Sequence, residues 1–343
     1  MGTKLMDIFE ASNLSLRDLS GKKIAVDAFN TIYAFLATIR QPDGTPLMDH
    51  QRQVTSHLSG LFYRTVNLLE NGIDPAFVFD GEPPKLKADE IARRRAVRGE
   101  AFREWKVAKA EGRVEDARKA AQASSRLTTS MITESKALLE ALGVPVIQAP
   151  SEGEAVAAQM AREGYVWASA SQDNDSLLYN CPRMIRNLSI TGRRRASRPG
   201  SYKVVHPQLI QLDQNLKILG ITREQLIDIA ILVGTDYNAG LPRVGPKTAL
   251  KLIRKHGSIE GVEEEKGKMD FPYEEIRQIF LNPPKYEITA PKWNDPDPAR
   301  IQEILCEQHN FSVERIQSSL SRLEKALEEL RGPTEQSTLE DFF

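Results

Sequence analysis

Seven carboxylates in this chain follow short apolar runs, and acidic side chains gathered in one place suit the capture of divalent cations. Asp27 closes Ile24-Ala25-Val26, and Asp80 closes Ala76-Phe77-Val78-Phe79. Glu152 and Glu154 come just after Val144-Pro145-Val146-Ile147, and Asp173 and Asp175 come after Val166-Trp167-Ala168. Asp236 follows Ile231-Leu232-Val233-Gly234. Apolar runs of this length, the last included, read as buried strands of a parallel sheet. Such strands bring their carboxyl ends to one edge, where ligands bind. Carboxylates held that close repel unless cations neutralise them. Oxygen donors without a His/Cys cluster select Mg²⁺, or Mn²⁺, over zinc. Two such ions about 3.5–4 Å apart activate a water and stabilise the leaving oxygen of a phosphodiester, so no side-chain nucleophile is needed.

Each acid also has a plainer explanation. Ser151-Glu152-Gly153-Glu154 has the form of a capping box, with Ser151 at the N-cap and Glu154 at N3. Asp173-Asn174-Asp175 could form a side-chain-bonded turn. Asp27 and Asp80 could cap helices that follow them. Seven acids following apolar runs by coincidence is a weaker account than one shared site.

The elements that would position these acids alternate along the chain. Residues 1–84 give a strand at Lys22–Asp27, a helix at Phe29–Ile39, a long helix near Gln51–Glu70 and a strand at Ala76–Asp80, stopped by Gly81-Glu82-Pro83-Pro84. Residues 85–126 are helical and polar, without an apolar stripe broad enough for a core. Residues 127–220 resume the α/β pattern. Residues 221–331 are mostly helical, with proline breaks at Asn282-Pro283-Pro284 and Asp295-Pro296-Asp297-Pro298, and residues 332–343 form a polar tail. The fold class is therefore α/β: a mostly parallel sheet flanked by helices, with a helical insertion and a helical C-terminal region.

Bulk properties exclude several classes. The chain has 343 residues, 41% of them apolar, and a net charge of −1, so only the distribution of charge can indicate a partner. Cys181 and Cys306 show no CxxC spacing, as expected of a reduced, intracellular protein. There is no apolar stretch long enough to span a bilayer and no signal-peptide pattern, so a soluble protein without a membrane partner is expected. Met6 stands where a myristoylation signal needs Ser or Thr.

Charge is unevenly placed. Residues 85–126 carry thirteen bases against seven acids, starting just past Asp80. Between Asp175 and Asp213 there is no acid at all, while Arg183, Arg186, Arg193, Arg194, Arg195, Arg198 and Lys203 fall there. Gly192-Arg193-Arg194-Arg195 with Pro199-Gly200 reads as an exposed turn. Either stretch alone is compatible with a solvated surface. Two basic segments flanking one acidic site suit a polyanion whose phosphates need both metal and cations. Further on, Gly245-Pro246-Lys247-Thr248 opens a helix with free N–H groups and a lysine, suited to one backbone phosphate. In the tail, Leu339, Phe342 and Phe343 read either as a frayed terminus or as apolar residues of the kind that mark a docking peptide.

Taken in order, Val26-Asp27-Ala28, Phe77-Val78-Phe79-Asp80-Gly81-Glu82-Pro83-Pro84, Ala149-Pro150-Ser151-Glu152-Gly153-Glu154-Ala155, Gln172-Asp173-Asn174-Asp175, Gly234-Thr235-Asp236-Tyr237 and the terminal Gln336-x-x-Leu339-x-x-Phe342-Phe343 resemble the archaeal and eukaryotic flap endonucleases, structure-specific 5′ nucleases. The resemblance runs essentially end to end. It implies a nuclease domain in two halves, 1–84 and 127–220, split by a helical arch at 85–126 that passes the single-stranded flap. It also implies a helix–two-turn–helix and C-terminal helices at 221–331. Asp27, Asp80, Glu152, Glu154, Asp173, Asp175 and Asp236 match the acids that hold two Mg²⁺ ions. Lys87 and Arg94 match catalytic bases on the scissile phosphate, and Tyr33 matches an aromatic stacked near the scissile nucleotide. Gly2, Thr55, Arg64, Gly245, Lys247 and Thr248 match DNA contacts. Gln336, Leu339, Phe342 and Phe343 match the peptide that binds the sliding clamp (PCNA).

The implied activity is 5′ flap cleavage with 5′–3′ exonuclease action by a monomer, in Okazaki-fragment maturation and long-patch base excision repair. The compartment would be the cytoplasm of an archaeon or the nucleus of a eukaryote. The alternatives are a catalytically silent, clamp-associated DNA-binding protein and a sister 5′ nuclease for bubbles or junctions. One departure stands out: the family's Gly-x-Gly hairpin reads Arg243-Val244-Gly245 here, which removes a glycine suited to positive φ and puts the backbone phosphate contact in question.

Overall fold

Successive side chains of a strand point to opposite faces of its sheet, and the central strands of this chain are apolar on both. Ile24 and Val26 face one core with Phe77 and Phe79, while Ala25 faces the other with Ala76 and Val78. Such strands need helices on both sides. The computed structural model describes residue 3 and residues 5–190, 192–195 and 202–331.

The strands are β1 (Ser12–Asn13), β2 (Lys23–Asp27), β3 (Asp74–Phe79), β4 (Val146–Gln148), β5 (Ala168–Ala170), β6 (Arg183–Arg186), β7 (Gly192–Arg195), β8 (Tyr202–Val205) and β9 (Gln208–Gln211). Seven form one sheet in the order β1-β9-β6-β5-β2-β3-β4. From β6 to β4 all neighbours are parallel; β9 runs antiparallel to both β6 and β1. β7 and β8 pair antiparallel as a separate ribbon, so the arginine stretch at 192–195 is a strand where the sequence suggested a turn.

The first helices are α1 (Ala28–Thr38), α2 (Ser56–Glu70), α3 (Ala88–Ala110), α4 (Val114–Ala123) and α5 (Thr129–Ala141). Then come α6 (Gly153–Arg162), α7 (Asp175–Leu178), α8 (Leu212–Leu219), α9 (Arg223–Val233) and α10 (Pro246–His256). The last are α11 (Ile259–Lys266), α12 (Tyr273–Leu281), α13 (Pro298–Gln302) and α14 (Val313–Arg331). The phenylalanine face of the sheet is covered by α1, α2, α5 and α14 through Ile32, Phe35, Phe62, Leu138 and Leu320. The alanine face takes α6, whose small residues allow close approach, with α9, α10 and α12 packed beyond it. Among the described residues, no helix is long and apolar enough to cross a membrane.

Two further expectations are corrected. The run 231–234 is the end of α9, not a strand: Thr222 and Gln225 form a reciprocal capping box that starts a helix there. The helix expected from Gln51 begins at Ser56, because the Asp49 carboxylate accepts from the N–H groups of Gln51 and Gln53 and holds the chain in a turn. The polar insertion forms α3 and α4, which meet through small residues: Ala101, Ala108, Ala117, Ala120 and Ala121 are buried.

Candidate functional site

The parallel strands deliver their acids to one edge. Asp27 ends β2 and caps α1, its Oδ1 accepting from Asn30 N at 3.0 Å and its Oδ2 from Ser171 Oγ at 3.1 Å. Asp80 follows β3 and accepts from Gly153 N at 2.6 Å, across to the start of α6. That contact explains the glycine between the two glutamates, since a Cβ there would stand 2.7 Å from Asp80 Oδ1. Glu152, not Ser151, occupies the N-cap of α6, and no side chain caps that helix, so the expected capping box is absent. Asp173 accepts from Asn30 Nδ2 at 3.2 Å, and Asp175, which opens α7, accepts from Thr3 N at 2.9 Å. Asp236 arrives from the other core layer, in the turn after α9.

Electrostatics ties these seven together. Burial pushes the Asp27 carboxyl up to about 8, and Asp80 and Asp173 add to the rise. Asp80 is raised to about 6, chiefly by burial, with Glu152 and Asp236 contributing. Asp175 is likewise raised to about 6, by burial and then by Asp236 and Asp173. Glu154 is driven well above the usual carboxylate range by burial, then by Asp175, Asp27 and Asp173. The anions of Asp27, Asp80, Glu154 and Asp175 are thus destabilised by desolvation and by their neighbours. Glu154 Oε1 is shielded from solvent and has no hydrogen-bond partner among the described residues. Buried oxygens that raise one another's pKa, one of them orphaned, are a donor set that fits a hard divalent cation.

Bases of the insertion reach into the same edge. Lys87, in the single 3₁₀ turn before α3, bridges Glu152 Oε2 at 2.8 Å and Asp236 Oδ2 at 3.0 Å. Burial works against its charge, but Glu152 and Asp236 hold the ammonium well above its ordinary value. Arg94, two turns along, pairs with Asp236 and with Glu90 Oε1 at 2.7 Å. Among the described residues, no three ligand-type side chains are drawn into a single coordination shell. The site is therefore a carboxylate edge bridged by ammonium and guanidinium groups.

Tyr33 lies on α1, and the Arg98 guanidinium sits 4.7 Å over its ring and donates to its hydroxyl at 3.3 Å. The sequence reading did not pick out Arg98, nor Asn30, Ser171 and Thr3, whose hydrogen bonds fix Asp27, Asp173 and Asp175. The one available signal was Ser171, two residues before the first acid of Asp173-Asn174-Asp175. Thr55 stands at the N-cap of α2 and Arg64 within it, and α2 packs on the phenylalanine face of the sheet. Gly245, Lys247 and Thr248 open α10, with Gly245 at its N-cap and Lys247 and Thr248 exposed. Arg243 has φ of 64°, so arginine itself holds the left-handed conformation and the turn survives the loss of glycine. Gly2, Gln336, Leu339, Phe342 and Phe343 lie outside the described residues.

With this geometry in hand, the chain matches the XPG N-terminal domain over residues 1–101 and the XPG I-region over residues 143–236. It is 50% identical to flap endonuclease 1 of Pyrococcus horikoshii over 344 aligned positions, covering 100% of this chain and 98% of that protein. Its fold is similar to the flap endonuclease-1 structure from Methanococcus jannaschii, with a TM-score of 0.72, 38% identity and coverage of 95% and 99% of the two chains. It is also similar to the catalytic core of Rad2 solved in complex with DNA substrate, with a TM-score of 0.71, 25% identity and coverage of 94% and 100%.

Proposed function

The chain belongs to the flap endonuclease family of XPG nucleases, and from that premise we propose how its own residues cut DNA. It is a structure-specific 5′ flap nuclease, a phosphodiester hydrolase of a metal-dependent family. In this proposal Asp27, Asp80, Glu152, Glu154, Asp173, Asp175 and Asp236 hold two Mg²⁺ ions, with Mn²⁺ able to replace them. Bound there, the ions supply activation of the attacking water and neutralisation of charge on the leaving oxygen.

The chain's residues do the rest. Asn30, Ser171, Gly153 and Thr3 orient the carboxylates through the hydrogen bonds described above. Lys87 and Arg94 exchange their carboxylate partners for the scissile phosphate and stabilise the charge that builds on it. Tyr33, braced by Arg98, stacks on the neighbouring base. The α3–α4 pair, residues 85–126, forms an arch over the flap, while Thr55, Arg64, Gly245, Lys247, Thr248 and Gly2 grip the duplex backbone without reading sequence.

The substrate class is branched DNA with a 5′ flap, in keeping with the Rad2 core, which was solved with DNA substrate. The same site would act as a 5′–3′ exonuclease. Residues 332–343, with Gln336, Leu339, Phe342 and Phe343, would dock on a sliding clamp and bring a monomeric enzyme to Okazaki fragments and long-patch repair sites inside the cell. The observation that carries this reading is the shared edge itself: seven buried or half-buried acids with Lys87 and Arg94 in direct contact.

Cleavage of end-labelled double-flap DNA with Mg²⁺, comparing the wild type with Asp175→Ala, tests it. Junction-specific cutting that the substitution abolishes, with DNA binding retained, is the expected result. Binding without cutting by the wild type would leave a silent DNA-binding protein, and preference for a bubble or four-way junction would point to a sister nuclease.

A further inference from the structure

Sheet order places a basic residue at each side of the acid row. Read along the carboxyl edge, β5 leads to Asp173 and Asp175, β2 ends on Asp27, β3 leads to Asp80 and β4 to Glu152, while α6 carries Glu154 back to face Asp175, Asp27 and Asp173. Lys87 and Arg94 enter from the β3 side. On the other side, beyond β5, stands Arg186, the last residue of β6. Ile185 pairs with Ala170, and Ser171 N donates to Ile185 O at 3.2 Å, so Arg186 is level with the serine that holds Asp27.

Arg186 is held in place without being used. Its backbone is fixed by antiparallel pairing with Gln208 and by Asn187, which takes φ of 64° and donates to His206 O at 3.3 Å. Ser189 then ties the segment to α1 through Thr31, with 2.9 Å between their hydroxyls. The Arg186 side chain is half-buried, and its Nε is shielded from solvent with no hydrogen-bond partner among the described residues. Burial lowers the pKa of the guanidinium, opposed by the nearby Asp173. A desolvated donor without an acceptor costs folding free energy, and beside the acid edge an incoming phosphate oxygen would satisfy it.

We propose that Arg186 binds a second phosphate of the strand being cut, next to the one held by Lys87 and Arg94. Asp173 acts electrostatically on both the Arg94 and the Arg186 guanidinium, so the two flank that carboxylate, and a strand held at both lies across the acids. The inference rests on the flap-nuclease reading, and it assigns a role to the basic stretch that begins at Arg183.

The test compares wild type, Arg186→Met and Arg186→Lys in the full chain, by single-turnover cutting of double-flap DNA at several salt concentrations and by thermal unfolding. Arg186→Met is expected to slow cutting about 10- to 100-fold, the range for losing one charge-assisted hydrogen bond. It should also reduce the salt slope of binding by about one and leave Tm unchanged or raised, while Arg186→Lys recovers most of the rate. Wild-type cutting and salt slope in Arg186→Met would overturn the proposal. So would a rate loss that appears only with a lowered Tm and is not rescued by lysine, because the guanidinium would then be structural. If the wild type itself leaves flaps uncut, the underlying reading fails instead.

Discussion

Lys87 illustrates how one side chain can serve two states of a reaction. It spans Glu152 and Asp236, the oxygens that divalent ions need under the proposed mechanism. Lys87→Met should therefore bind Mn²⁺ more tightly in calorimetry while cutting about 100-fold more slowly or worse, the size of effect seen when one transition-state charge contact is removed. Slow cutting with unchanged ion affinity would show that the lysine does not compete with the metal. Arg243 makes the opposite compromise. Its left-handed backbone costs about 1–2 kcal/mol that glycine would not incur. If the Arg243 side chain supplies the phosphate contact in place of the hairpin glycine, Arg243→Gly should raise Tm slightly yet weaken duplex binding and flatten its salt dependence; unchanged affinity and slope would rule that contact out.

At the scale of elements, the α3–α4 pair is fastened to the body at a point the sequence did not advertise. Lys109 Nζ lies 2.9 Å from Asp43 Oδ2 and donates to Thr45 Oγ1 at 2.6 Å, while Trp105 Nε1 donates to Asp43 O at 3.4 Å. Gly44 sits beneath them with φ of 83°, and a Cβ there would be 2.7 Å from that of Ala121. Gly44→Val should therefore unseat α4 and raise hydrogen exchange across residues 99–125 without changing exchange in β2 or β3. Equal exchange in both proteins would mean that the loop does not brace the α3–α4 pair. The Lys109 contact lowers the Asp43 carboxyl to about 2. A carboxylate with a depressed folded pKa stabilises above its ordinary value and loses that contribution as pH falls through the folded one. The latch should thus hold at neutral pH and release only between about 4 and about 2.

The whole molecule should feel the acid edge through its stability. Asp27, raised to about 8, and Asp80 and Asp175, raised to about 6, bind protons more tightly folded than unfolded. Their contribution is complete below the unfolded carboxylate range and is lost as pH rises through those values, so the unfolded chain becomes relatively more favourable. In chelator, Tm should fall from about pH 5 to about pH 8, and added Mg²⁺ should restore it most at the alkaline end, because the ion then binds carboxylates already free of protons. A flat Tm in chelator, or a Mg²⁺ effect independent of pH, would contradict this account of the edge.

The sequence determined the parallel strands and their acids. An apolar run that ends on aspartate is legible because burial and edge position are both local properties of a strand, as at Ala76-Phe77-Val78-Phe79-Asp80. It also determined the family, through motifs spread from Asp27 to Asp236. It misled at Ile231-Leu232-Val233, because a short apolar run looks the same in a buried strand and a buried helix, and the Thr222–Gln225 cap that decides the matter lies nine residues upstream. Only the tertiary structure decided which groups meet: Arg98 on Tyr33, Gly153 under Asp80, Thr3 on Asp175, and Arg186 at the far side of the acid row. Those pairs are separated by tens to more than a hundred residues, and nothing local encodes them. The contacts follow from sheet order and helix packing, which place the ends of distant elements side by side.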